Sequence, residues 1–318
     1  MASNILKNIA MKFKETDKVP AKEPHKVDYE WKIVWKNVII LTYIHLAGLY
    51  GLYAAFFYAK LWTVIWFYAV GVLTNIGVTA GTHRLWCHRS YKAKWPMRII
   101  LMLLQASAFQ EDIYMWVRDH RVHHKYTDTD ADPYNARRGF FFSHIGWLMI
   151  RKHPDVISKK ATVNMSDVEE DPIVMFQRKW YLYLMALCCF IVPTLVPMWA
   201  WDESLWYAWH MTVAKYALTS NGTWLVNSAA HMWGVKPFDK SITPVENPIV
   251  SFITAGEGWH NYHHVFPWDY KAAELPYYFN FTTAFIDFFA YLGLAYDLKT
   301  ASPDIVKKRA LRNSEMSY

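Results

Sequence analysis

The sequence predicts an all-α membrane protein: four transmembrane helices in two hairpins, with a cytosolic helical cap holding a histidine-rich dimetal site. Three observations predict it. Hydrophobic residues make up 53% of the 318 residues, aromatics 18% and charged residues only 19%, more apolar surface than a soluble fold of this size needs to bury. The apolar residues gather into four stretches of spanning length, split into two pairs by a polar region. Nine of the fourteen histidines fall in four short elements outside those stretches or at their edges.

The chain then divides in order. Residues 1–30 read as a cytosolic N-terminal tail: eight lysines and no arginine precede Val38, and so long a charged leader is not a signal peptide. Residues 31–80 form the first transmembrane hairpin. Trp31 to Trp35 mark the approach to the bilayer, and Val38 to Ala59 and Leu61 to Ala80 each span it, with Lys60 alone between them. The lysine-rich tail orients the N-terminus to the cytosol, so the second span returns there.

Residues 81–179 form the first part of the cytosolic cap. Met97 to Phe109 is apolar but too short to span and reads as an interfacial or buried helix. The run Thr127-Asp128-Thr129-Asp130-Ala131-Asp132-Pro133 reads as a solvated acidic turn beside the metal site, with metal binding through its oxygens the alternative, and residues 151–178 as a surface loop and helix. Residues 180–230 form the second hairpin: Trp180 to Trp201, the acidic link Asp202-Glu203, and a fourth span from Leu205 to Ala230. Lys215 and Asn221 lie inside that last span. Polar groups at such depth face a protein interior or a water-filled cavity, so this helix is expected to line one. Residues 231–318 complete the cap, with a cytosolic C-terminus. The sequons at Asn164 and Asn280 are both expected on the cytosolic side and therefore unmodified.

The charge of +7 suits an anionic membrane surface or an acidic ligand. Nucleic acid is disfavoured, because the basic residues are dispersed and form no reading motif. Cys188 and Cys189 are adjacent in an apolar run and Cys87 stands alone, so there is no disulfide framework and the site belongs on the reducing side of a membrane.

The histidines carry the chemistry. His120, His123 and His124 sit at i, i+3 and i+4, on one face of a helix. His260, His263 and His264 repeat that spacing. His83 and His88 form a pair five apart, and His231 follows Asn227 by four. Imidazole is the common protein ligand of transition metals, and nine exceed what one ion takes, so two ions fit the count. A membrane metal transporter would instead place ionisable donors inside the spans, where only His45 and His210 lie. Asp119 and Glu257 are candidates to orient the imidazoles from behind, with plain surface salt bridging the equal alternative for each.

These motifs, His83-Arg84-Leu85-Trp86-Cys87-His88, His120-Arg121-Val122-His123-His124, Asn227-Ser228-Ala229-Ala230-His231 and Gly256-Glu257-Gly258-Trp259-His260-Asn261-Tyr262-His263-His264, closely resemble those of the integral-membrane fatty acyl-CoA desaturases, of the stearoyl-CoA and insect types. The likeness covers roughly residues 31 to 312. It implies an oxygen-dependent enzyme that places a double bond in a long-chain acyl-CoA, with delta-9 on C16 to C18 chains the commonest outcome and delta-11 or other pheromone-type positions known among insect relatives. It also implies two iron ions with dioxygen as co-substrate. The nine histidines would hold the irons, with Asn227 touching one through a water.

By the same resemblance, Asn37, Arg118, Asp119, Arg151 and Lys152 would meet the CoA moiety, and Trp116, Thr223 and Trp224 would surround the bend of an acyl tunnel. Glu111 stands where close relatives carry an amide. Gly71, with Asn75 one turn on, offers no bulky stopper where relatives close the tunnel, which would let it run deeper. No haem-binding signature is present, and His153-Pro154-Asp155 lacks the glycines of the cytochrome b5 motif. Electrons are therefore expected from a separate cytochrome b5 and its NADH-dependent reductase, at the endoplasmic reticulum membrane. A fatty-acyl hydroxylase or acetylenase on the same scaffold is the alternative within the enzyme class.

Overall fold

The structure, a computed structural model, describes residues 30–315; nearly all of the polar tail expected over residues 1–30 lies outside them. The described residues are mostly helical, and three helices are long and apolar enough to cross a membrane: α1 (Trp35–Phe57), α2 (Leu61–Cys87) and a later helix over Pro172–Trp201. Between them come α3 (Trp95–Ala106) and α4 (Ile113–Tyr126), so the later spanning helix is α5. It is followed by α6 (Leu205–Asn227), α7 (Ala229–Met232), α8 (Pro248–Ile253), α9 (His260–Val265), α10 (Phe281–Tyr291) and α11 (Pro303–Glu315). A single short antiparallel pair, β1 (Lys92–Ala93) with β2 (Ala295–Tyr296), joins the segment after α2 to the segment after α10.

The spanning helices turn apolar side chains outward. Leu46, Phe56, Leu61, Tyr68, Leu182 and Leu195 are exposed, and Trp199 is 89% exposed, a distribution suited to lipid rather than water. The first two helices are connected through Lys60, as the sequence predicts. The link between α5 and α6 lies against it: Lys60 Nζ donates to Trp201 O at 2.8 Å, and both Lys60 N and Thr63 Oγ1 donate to Glu203 Oε2 at 2.8 and 2.6 Å. The two hairpin turns therefore share one end of the bundle.

The fourth predicted span differs in kind. α6 has the length of α1 and packs along it closely: a Cβ at Gly51 would fall 2.1 Å from His210 O, so only glycine fits there. Yet α6 carries His210, Lys215 and Asn221 and is largely enclosed by its neighbours. Lys215 is 3% exposed and donates to Ser107 O at 3.1 Å and Cys189 Sγ at 3.6 Å. Enclosure by protein is what permits those polar groups. The helix also stops at Asn227, where Ser228 leaves helical geometry before α7 begins.

Two helices extend further than their apolar runs suggest. α2 continues past Ala80 as a π-helix, Gly77–Cys87, and α5 begins at Pro172, with a π segment at Ala186–Ile191 ahead of Pro193. Proline has no amide to donate and its ring crowds the preceding turn, and widening that turn accommodates it. The apolar 97–109 stretch is the half-buried helix α3, which covers Met97, Leu101 and Met102 and exposes Trp95 and Ile100.

Candidate dimetal centre

Each histidine element reaches the centre by a different local device. α4 starts from Asp112, whose carboxylate accepts from Met115 N at 3.0 Å, and it carries His120, His123 and His124 one turn apart. The π stretch of α2 solves the five-residue spacing: His88 N bonds to His83 O at 3.0 Å, so residues five apart stack on one side. The short helices α7 and α9 bring in His231 and His260, His263 and His264.

The nine imidazoles separate into two groups. His83, His88, His120, His124 and His263 form one, and His123, His231, His260 and His264 the other; in each, one ligand atom per residue lies within 4.8 Å of all the rest. The structure thus brings together every histidine expected at the site and assigns five to one position and four to the other. Asn227 lines the cavity beside the four-histidine group, together with His260.

Buried carboxylates face the back of three rings. Glu257 Oε2 lies 2.9 Å from His83 Nδ1, Asp132 Oδ2 lies 2.9 Å from His123 Nδ1, and Asp128 Oδ2 lies 3.0 Å from His231 Nδ1. Asp132 and Asp128 each accept from the Nδ1–H of their ring and Glu257 is paired with His83 at the same position, an arrangement that directs the Nε2 lone pairs inward. Those inward nitrogens face one another: His83 and His263 Nε2 are 3.0 Å apart, and His231 and His260 Nε2 are 3.1 Å apart. Lone pairs converging at this range repel unless a shared cation lies among them, so the donor set fits metal ions. Among the described residues, Nδ1 of His260 and of His263, both buried, has no hydrogen-bond partner.

Electrostatics keep the site ready for metal. His88, His120, His124, His260, His263 and His264 are held well below the ordinary histidine range, first by burial and then by their imidazole neighbours. They stay neutral, as ligation requires. For His123 burial acts in the same direction, but the Asp132 carboxylate outweighs it and the net shift is upward. Burial raises the Glu257 carboxyl, yet the Arg84 guanidinium and His83 prevail and hold it at about 2. Arg84, 1% exposed, binds Glu257 Oε1 through Nε at 3.0 Å and Nη2 at 2.8 Å.

These findings correct two expectations. The 127–133 turn is not solvated: Asp128 and Asp132 are each 2% exposed, and Asp132 also accepts from the backbone of Asp128 and Tyr134. Asp119 does not orient an imidazole; it is paired with Lys152, with Lys160 Nζ at 2.8 Å and with Arg118 Nε at 3.5 Å. The signal for the first was available, since two acids four apart directly after a histidine helix suit ligand support as well as a turn. Beyond the adjacent Arg118, the partners of Asp119 are Lys152 and Lys160, some thirty to forty residues on and out of reach of local spacing.

A cavity of about 1000 Å³, including its open mouth, runs from the metal site into the helices. Trp116, Thr223, Trp224, Val78, Phe109 and Tyr216 are among its lining residues, so the three expected tunnel residues meet there. Phe109 and Tyr216 stack at 5.4 Å, with Phe190 against both. Asn75 lines the cavity, but a Cβ at Gly71 would meet Lys215 Cγ at 3.6 Å and Thr219 Cγ2 at 3.7 Å. Both are ordinary contacts, so Lys215 and Thr219 pack beside Gly71, which is not among the residues lining the cavity.

Glu111 also lines the cavity, and burial raises its carboxyl against the pull of Lys152, 4.0 Å away. Arg118, Asp119, Lys152 and Lys160 cluster with it. The lead into α1 pairs with residues 148–151, the segment that runs into Lys152: Arg151 N donates to Lys32 O at 2.9 Å, and Asn37 Nδ2 donates to Leu148 O at 2.7 Å. Cys87 is buried, with Sγ 3.9 Å from Val117 O, and belongs to neither histidine group.

Comparison with known proteins gives this arrangement its family. The family model for fatty acid desaturases matches residues 60–282. The chain belongs to the fatty acid desaturase family. Its relatives include the acyl-CoA Delta-9 desaturase of Acheta domesticus, 56% identical over 96% of this chain and 85% of that protein. An acyl-CoA Delta(11) desaturase of Trichoplusia ni is 49% identical over 100% of this chain and 91% of that protein. Stearoyl-CoA desaturase 5 of Bos taurus is 52% identical over 94% and 88%. Desaturase chemistry is oxidative, so the protein is an oxidoreductase, and relatives of similar identity differ in where they act.

Proposed function

We propose that this desaturase acts on long-chain acyl-CoA, inserting a double bond with dioxygen and two iron ions. The observation that carries the reading is the pair of histidine groups, five and four, set on the wall of an apolar cavity. Iron bound there would supply, with dioxygen, the oxidising power that no side chain has against unactivated methylene groups. The protein's own work is positional. Glu257, Asp128 and Asp132 hold three ligand rings in one tautomer and orientation. Trp116, Thr223 and Trp224 shape the cavity beside the ligands, excluding water and deciding which carbons approach. Asn227, on the cavity wall, would complete the four-histidine set.

The cluster of Arg118, Lys152 and Lys160 around Asp119 and Glu111 is the proposed site for the CoA phosphates, with Arg151 and Asn37 flanking it. α6 is read as the fourth crossing, protected by α1 and α5, which places both hairpin turns in the lumen and both termini with the metal site in the cytosol. The membrane is that of the endoplasmic reticulum, and cytochrome b5 with its NADH-dependent reductase is the proposed electron source, drawn to the basic cytosolic face. C16 to C18 chains and the delta-9 position are the proposed preference, with delta-11 the principal alternative.

The test is expression in yeast lacking its own desaturase, fed labelled saturated fatty acids, with mass spectrometric location of new double bonds. New alkene at one position supports the proposal. A gain of one oxygen with no alkene assigns a hydroxylase instead, and a triple bond an acetylenase.

A further inference from the structure

One partly buried polar assembly, with Ser228 fully enclosed, is used by neither the metal site nor the hairpin turns. His45 on α1, Asn221 on α6, His144 in the π-turn Phe142–Gly146 and Ser228 at the end of α6 form an unbroken hydrogen-bonded chain. Its links are His45 Nε2 to Asn221 Nδ2 at 3.1 Å, Asn221 Oδ1 to His144 Nε2 at 3.0 Å, and His144 Nδ1 to Ser228 Oγ at 3.1 Å.

Proton counting gives the chain a direction. His45 Nδ1 donates to Leu41 O at 2.7 Å, so its Nε2 is an acceptor. Asn221 Nδ2 fills that acceptor and also donates to Ala217 O at 2.8 Å, which orients the amide. Its oxygen therefore accepts from His144 Nε2–H, which leaves His144 Nδ1 an acceptor; the single Ser228 hydroxyl proton goes either to Nδ1 at 3.1 Å or to Trp224 O at 2.8 Å, a carbonyl that Ser228 N also reaches at 3.1 Å. Turning the Asn221 amide would set its oxygen against the His45 Nε2 lone pair and against Ala217 O, which fixes the direction of the first two links.

What the chain encloses is the cavity wall. The Trp224 ring lies between His45 and His144, at centroid distances of 6.2 and 5.9 Å. Ser228 follows Asn227 directly and marks the break between α6 and the helix that carries His231. Trp224, Asn227 and a metal ligand are thereby referred to α1 and to the 142–146 turn, neither of which reaches the metals. We propose that His45, Asn221, His144 and Ser228 are positioning residues, which hold Trp224 and Asn227 in register with the metal site and so set the position of the new double bond. The proposal rests on the acyl chain occupying this cavity.

The test uses the full chain in desaturase-deficient yeast and the purified protein. His144→Phe and Asn221→Leu are expected to retain metal content and KM for acyl-CoA. Turnover should fall about tenfold, as misplacement of the reacting carbon predicts, and the product should split between neighbouring double-bond positions. His144→Gln places an amide nitrogen near the site of Nε2 and should restore a single product; Asn221→Asp, nearly the same shape, is the second probe if the larger changes prevent accumulation, and should also broaden the product. An unbroadened product in these variants, or His144→Gln no better than His144→Phe, overturns the proposal. Trp224→Ala separates the two readings. If it leaves double-bond position unchanged, the cavity assignment fails; if it shifts the position while the network variants do not, only the positioning role fails.

Discussion

Replacing Glu257 by glutamine removes one charge that serves two neighbours. The carboxylate receives two bonds from the buried guanidinium of Arg84 and faces His83 Nδ1 at 2.9 Å. Its folded value of about 2, against an ordinary 4.5, corresponds to about 3 kcal/mol of stability at neutral pH. The folded value lies below the unfolded one, so this stability is present above about 4.5 and is lost as pH falls toward about 2. Glutamine keeps the shape but leaves Arg84 without a counter-charge, though Tyr270 O, Lys271 O and Thr283 Oγ1 still accept from it. Glu257→Gln should lower the melting temperature in detergent at pH 7.5 by roughly 5–10 °C, a gap that narrows below pH 4. Loss of the acceptor behind His83 should weaken metal retention at the five-histidine group by about 10–100-fold, read by elemental analysis after dialysis against graded chelator. Wild-type metal retention together with an unchanged melting temperature would refute this account of the carboxylate.

Asp132→Ala and Asp128→Ala should each weaken metal binding at the four-histidine group by about 10–100-fold, leaving roughly one ion per molecule in the same chelator titration. Phe109→Ala removes one face of the ring stack at 5.4 Å with Tyr216, and the enlarged cavity should accept longer acyl chains, seen as a shifted product profile in a mixed-substrate assay. Glu246 is pushed up by burial to about 8, so the folded protein binds a proton there that the unfolded chain releases. Stability should then fall as pH rises from about 4.5 to about 8; Glu246→Gln, which keeps an acceptor for Tyr262 N, should flatten that slope and melt higher at pH 8. Asn164 is exposed and should remain unglycosylated when expressed in cells, while modification there would reverse the proposed topology. Asn280 is 2% exposed and binds Arg84 through Oδ1, so it cannot report on sidedness.

The metal ligands were legible because ligation imposes spacing. His120, His123 and His124 on one helix turn, and their repeat on α9, write the geometry of a site into local periodicity. The apolar runs of α1 and α2 were equally plain, since a bilayer demands continuous length. Less was legible where the decisive contact is distant. The support of His231 by Asp128 joins positions 103 residues apart, and the enclosure of Lys215 depends on α3 and α5 folding around α6.

Residue order alone therefore determined the membrane character, the helical class, the nine imidazoles and the family they mark. Each of these follows from composition or from intervals shorter than a few helix turns. Only the tertiary structure decided how the imidazoles divide into five and four, which carboxylates stand behind them, and that Lys215 packs beside Gly71. Those outcomes depend on which surfaces meet after the chain has folded, and short-range spacing carries no information about that.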